Sequence, residues 1–140
     1  MKDERNLHQR VQEMIDCYAT NDPLKEMSEI GQEADLEEAA VKWLALAALH
    51  GVNAGAKKIE LEVMADGGVE VEAKYRESHL PAPSPELARK VLEVMRGITH
   101  LEGDKGKEPL ALGVRNDSLN LFVKLKDEEG KSELKLKFPE

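Results

Sequence analysis

Glu60, Glu62, Glu70 and Glu72 recur at every second position in two short stretches, IELEV and VEVEA. On an extended chain, alternate side chains share one face about 7 Å apart, so two such stretches side by side could converge carboxylates on a hard cation. Lys74 continues the alternation, and Lys124, Lys135 and Lys137 repeat it with the opposite sign near the end of the chain. A face with acidic and basic ends has two uses. It keeps the surface solvated, and it can orient a charged protein partner. These eight residues are the candidate partner-binding set, and cross-strand pairs among them contribute only tenths of a kcal/mol to about 1 kcal/mol each.

Other reactive side chains are scattered. His8, His50, His79 and His100 have no HxxxH or HExxH spacing, so no metal centre is expected. His50 falls near the predicted end of a helix, where an imidazolium is favoured as a cap. Ser78 beside His79 lacks a third, orienting group and a strand-to-helix elbow. Cys17 is expected to pack on the apolar margin of a helix. Residues 103–109, GDKGKEP, read as a solvated loop, because Leu101 and Glu108 stand where a phosphate-binding Walker loop needs Gly and Ser or Thr. No catalytic constellation is found, and no enzyme activity and no cofactor are expected.

The elements that must hold these residues follow from period and punctuation. Leu7, Val11, Met14, Ile15 and Tyr18 fall on one face of a helix over residues 3–20, and Leu24, Met27 and Ile30 on a shorter turn after Pro23. Three fates are open to that stripe: docking on the chain's own core, a homodimer seam, or a membrane surface, the last disfavoured by its acidic polar side. Asp35 caps a second helix, Glu38 closes a capping box, and Gly51 is placed as the C-terminal glycine. Between them Lys42 is the only charge after Glu38, so that helix must be covered nearly all round, with Trp43 packed inside. Ser84 followed by Pro85 starts a third helix, with Leu87, Val91, Leu92, Met95 and Ile98 on one face.

Strands alternate on either side. Ile59, Leu61 and Val63 pair with Val69, Val71, Ala73 and Tyr75 across an Ala-Asp-Gly-Gly turn. Leu110, Leu112 and Val114, then Leu119, Leu121, Val123 and Leu125, then Leu134, Leu136 and Phe138 form a meander with hairpin-length turns. The proline-rich ESHLPAPSP between the two groups is expected to cross outside any sheet ladder. The fold class is therefore α+β: a five-stranded, mainly antiparallel sheet with two helices on one face, preceded by an N-terminal helical segment. Residues 1–34 form that helical appendage and residues 35–140 the α+β domain.

At 140 residues and a formal charge of −8, the acidity is local, since residues 1–40 carry four Lys or Arg against eleven Asp or Glu. No helix carries a basic stripe, so duplex nucleic acid is not expected as a partner. One cysteine excludes an intramolecular disulfide, and no leader or membrane-spanning run is visible. A cytoplasmic protein without direct membrane insertion is expected.

The stretches AKKIELEV and GVEVEAKYRES, the helix end MRGITHLE and the strand pair SLNLFVKLKDEEGKSELKLKF resemble the N-terminal PAS-like domain of type II secretion and type IV pilus assembly ATPases. The resemblance runs from about Glu38 to Phe138. In that family the second strand carries arginines, some of which reach a nucleotide on a neighbouring motor domain. Glu70 and Glu72 stand there in this chain, and the motor domain is missing. The resemblance thus implies a non-catalytic protein-interaction module whose partner is a secretion or pilus assembly component. PAS-like sheets also hold small ligands, which implies as the alternative a sensor with a pocket lined by Tyr75, Trp43 or Phe122.

Overall fold

The computed structural model describes residues 4–18, 25–27, 30, 35–66, 68–73, 78–79, 83–99, 105–114, 117–128 and 131–139. Three helices, α1 (Glu4–Cys17), α2 (Leu36–Ala54) and α3 (Pro85–Thr99), lie on one face of an antiparallel sheet. Its strands are β1 (Lys58–Met64), β2 (Val69–Ala73), β3 (Ser78–His79), β4 (Lys105–Val114), β5 (Asp117–Glu128) and β6 (Lys131–Lys137), in the spatial order β3-β2-β1-β6-β5-β4. The five expected strands share one sheet. Its two hairpin groups are joined by β6 pairing with β1, Leu61 opposite Leu134.

Two expectations about the sheet change. Ser78 and His79 do join the ladder, opposite Ala73 and Glu72, because neither is a proline and the edge of β2 has hydrogen bonds to offer. Residues 105–109 are strand, not loop, pairing with β5 from Lys105 opposite Lys126 to Pro109 opposite Phe122. Residues 103 and 104 lie outside the described residues. An edge strand tolerates both the charges and the proline.

The caps explain why the helices start where they do. Asp35, extended at φ −94° and ψ 115°, accepts hydrogen bonds from the backbone N–H groups of Glu37 (2.9 Å) and Glu38 (3.1 Å). Ser84 Oγ accepts from Leu87 N–H at 3.2 Å, with Pro85 in the first helical position. The C-terminus of α2 differs from expectation. The helix passes through Gly51 and ends three residues later at Ala54, where Gly55 takes the left-handed conformation (φ 66°) and Ala56 N–H donates to Gly51 O. His50 is thereby a full turn inside α2 and buried, rather than at its end.

Gly51 is needed for a tertiary reason. A Cβ there would lie 2.0 Å from Phe138 Cζ, so the ring rests directly on the helix backbone. Phe138 N–H donates to Lys57 O at 2.9 Å, which continues the β1–β6 pairing and delivers the ring to that spot.

The core is continuous. Val41, Leu44, Leu46 and Leu49 of α2 are buried with Val91 and Met95 of α3 and with Ile59, Leu61, Leu121, Val123, Leu134 and Leu136 of the sheet. Burying each such side chain contributes about 1.5–3 kcal/mol. Val11 and Ile15 of α1 belong to the same cluster, and Met14 and Tyr18 pack against it, so these four residues of the stripe dock on the chain's own core. Arg10 fixes α1 to the start of α2 by hydrogen bonds to Glu37 Oε2 (3.2 Å) and Glu38 Oε2. Burial is the largest single influence on its guanidinium and works against the charge, but the two carboxylates together outweigh it and raise the pKa. Glu38 therefore serves Arg10 as well as lying in the first turn. Lys42 is buried on the same side, 3.6 Å from Glu26 and 4.8 Å from the centre of the Tyr18 ring. Cys17, expected to pack, is exposed, because the face of α1 that carries Val11 and Ile15 turns it outward.

Trp43 is 1% exposed, and its indole Nε1 finds no acceptor among the described residues. An unpaired buried donor costs about 1–3 kcal/mol, which partly offsets what the larger ring contributes. Trp43→Phe is accordingly expected to cost less than about 1.5 kcal/mol in urea unfolding, against about 3–5 kcal/mol for Trp43→Ala. A loss above about 3 kcal/mol for the phenylalanine variant would show that the donor is satisfied.

Candidate functional site on the open sheet face

The helices cover one side of the sheet, and alternation sends every second strand residue to the other. Strand pairing arranges that open face into rows. Glu72, Glu60, Lys135, Lys124 and Lys107 cross β2, β1, β6, β5 and β4 in one row. Glu70, Glu62, Glu133, Lys126 and Lys105 form the next. A third runs Lys58, Lys137, Phe122 and Pro109. Acid is concentrated on β2 and β1, and base on β5 and β4.

Seven of the eight residues singled out from sequence lie on this face, and Lys74 lies outside the described residues. Sequence reasoning missed Lys105, Lys107, Lys126, Glu133 and the outward position of Phe122. The signal was present for three of them: Lys126 has the parity of Lys124, Glu133 that of Lys135, and Phe122 alternates with Leu121 and Val123.

Where the two halves meet, the charges neutralise one another. Lys58 Nζ is 2.7 Å and Lys135 Nζ 4.0 Å from Glu60 Oε1, Lys131 Nζ is 3.4 Å from Glu62 Oε1, and Lys135 Nζ is 3.4 Å from Glu133 Oε1. Glu60, Glu62 and Glu133 each bring one carboxylate oxygen within 4.8 Å of the others, close enough to consider a cation. Lys58, Lys131 and Lys135 already pair with these three carboxylates, so the cluster is balanced by ammonium groups. Away from the seam, Glu70, Glu72, Lys105, Lys107 and Lys124 form no ion pair among the described residues. Lysines crowd one another there, and Glu133 offsets this only in part at Lys124. Lys124 has its pKa lowered, chiefly by the charge of Lys135, then by burial and by Lys137 and Lys126. Amid these lysines Phe122 is 54% exposed.

The pocket expected from Tyr75, Trp43 and Phe122 does not assemble from its described members. Trp43 is buried in the helical layer while Phe122 points away from it on the far side of the sheet, and Tyr75 lies outside the described residues. A different cleft of about 590 Å³ opens at the C-terminal end of α2, lined by Gly51, Val52, Ala56, Lys57, Leu119 and Phe138 among others. Among the described residues no helix is long and apolar enough to cross a membrane. Scanning protein-family models finds none that matches this chain, and searching the curated proteins gives no match.

Proposed function

We propose that the chain is a non-catalytic module that docks a protein partner on the open face of its sheet. One observation carries this reading: an open face sorted by sign, whose outer charges form no ion pair among the described residues, with a large aromatic ring exposed among the lysines. Charges sorted in this way steer and orient a partner, and an aromatic ring supplies an anchor. The resemblance to secretion and pilus ATPase N-terminal domains extends the proposal to an assembly component of that kind, in the cytoplasm. Capture with the purified chain, alongside a Phe122→Ala and Lys124→Glu double variant, tests it. The partner should bind the wild type and be lost from the variant. Equal capture by both would sink the sheet-face reading.

A small-ligand sensor is supported by the cleft beside Gly51, whose volume lies within the range of small-molecule pockets. Lys57 is its one charged lining residue among the described residues, which suits an apolar ligand with an anionic group. A fatty acid should then raise the melting temperature of the wild type but not of Val52→Trp, which fills the cleft. No shift in either protein would remove this second reading.

A further inference from the structure

The open face is antisymmetric in charge about β6, the middle of the five long strands. In both charged rows a glutamate on β1 or β2 is matched by a lysine on β5 or β4, the same number of strands away on the other side. A half-turn about an axis along β6 turns the face onto a second copy and lays each sign on its opposite. Glu72 then meets Lys107, Glu60 meets Lys124, Glu70 meets Lys105 and Glu62 meets Lys126, each contact made twice. The third row obeys the same operation, bringing Lys58 of one copy over the Phe122 ring of the other, a cation–π arrangement. On the axis itself Lys135, Glu133 and Lys137 meet their own kind. Lys135 and Glu133 already neutralise each other at 3.4 Å within the chain. Lys137, exposed at the end of β6, faces its own copy and is the one like-charge contact left in the three rows.

We propose that this face is the interface of a face-to-face homodimer with its two-fold axis along β6. The proposal rests on the docking reading above and names a second copy as the occupant. An isologous interface must be self-complementary, and antisymmetry about the axis is how a charged face meets that condition. The outer residues Glu70, Glu72, Lys105, Lys107 and Lys124, which lack ion pairs among the described residues, are the ones the half-turn supplies with partners. The crowding that depresses Lys124 is relieved by Glu60 of the second copy. Five strands about 4.8 Å apart and roughly seven residues long present a face on the order of 550 Å². Two such faces bury about 1,100 Å², the lower end for specific interfaces, so the dimer is weak and governed by charge. Stacked sheets are rotated by about 30°, an offset of about 5 Å at the outermost strands that long Lys and Glu side chains can span.

Sedimentation velocity on the full chain, in a concentration series up to about 0.5 mM, tests the proposal. A monomer–dimer equilibrium is expected, weakened at least about tenfold between roughly 50 and 500 mM salt. Glu70→Lys with Glu72→Lys, and separately Lys105→Glu with Lys107→Glu, should each weaken self-association about tenfold or more. Neither pair has an ion pair to lose among the described residues, and circular dichroism should confirm that both variants fold. Mixed in equal amounts, the two variants should form a heterodimer at least as tight as the wild-type dimer, since the outer strands β2 and β4 are basic in one copy and acidic in the other, so the half-turn again lays opposite signs on each other there. A wild type that stays monomeric, a dimer unchanged in both variants, or a mixture no tighter than its components would each overturn it. If a monomeric wild type instead binds a labelled oligo-glutamate peptide or an oligo-dT strand, and Lys105→Glu with Lys107→Glu abolishes this, the occupant is a polyanion. The dimer then falls while the docking reading stands. A monomer that also captures its partner equally with and without Phe122 and Lys124 defeats both.

Discussion

Gly51→Ala is expected to destabilise the fold by about 2 kcal/mol, although alanine is favoured over glycine inside a helix by about 1 kcal/mol. The reason is the ring of Phe138, whose Cζ, Cε2 and Cε1 lie 2.0, 2.4 and 2.6 Å from where the new methyl carbon must sit. Either the ring swings out or the helix retreats. Swinging out surrenders burial worth about 1.5–3 kcal/mol, since Phe138 is only 8% exposed. A double-mutant cycle makes the attribution testable. Phe138→Ala alone should cost about 3 kcal/mol, and in that background Gly51→Ala should change sign and stabilise by about 0.5–1 kcal/mol. Urea denaturation of the four proteins gives the coupling directly, and independent effects of the two substitutions would show that ring and helix do not touch.

The second large effect lies in α1. Ile15 is 0% exposed, so Ile15→Ala should cost about 3 kcal/mol, within a range of about 2–5 kcal/mol. Glu13→Ala, on the exposed side of the same helix, should cost less than about 0.5 kcal/mol. This contrast bears on how residues 1–34 relate to the rest. A helix that merely hung from the domain would give small effects at both positions, with a separate low-temperature transition. One cooperative unfolding curve, shifted only by the Ile15 substitution, is the expected result.

The fold was legible in the sequence wherever a local signal decided the outcome. Asp35 and Ser84 are caps because their oxygens reach backbone N–H groups two or three residues away, and no distant contact is needed. The strands could be read because the residues that alternate are the ones the sheet buries on one side. Gly51 misled because glycine signals a helix end locally, whereas here it admits a ring from a residue 87 positions away. The start of β4 was hidden because Lys105, Lys107 and Glu108 carry charge at both parities, which an edge strand permits and an alternation rule does not. That omission removed two lysines from the candidate site. The order of strands was hidden as well: two hairpin groups can be joined along several edges, and it is the pairing of β6 with β1 that sets the acidic and basic halves on either side of β6.

That same pairing has a consequence for how the protein is made. β6 follows every other element along the chain yet sits between β1 and β5. During translation the β1–β2 hairpin emerges early and must wait, its inner edge unpaired, until residues 131–137 leave the ribosome. The sheet cannot be zipped progressively from one side as it is synthesised. Its two halves can join only once β6 is in place, and until then the inner edge of β1 is an open strand edge.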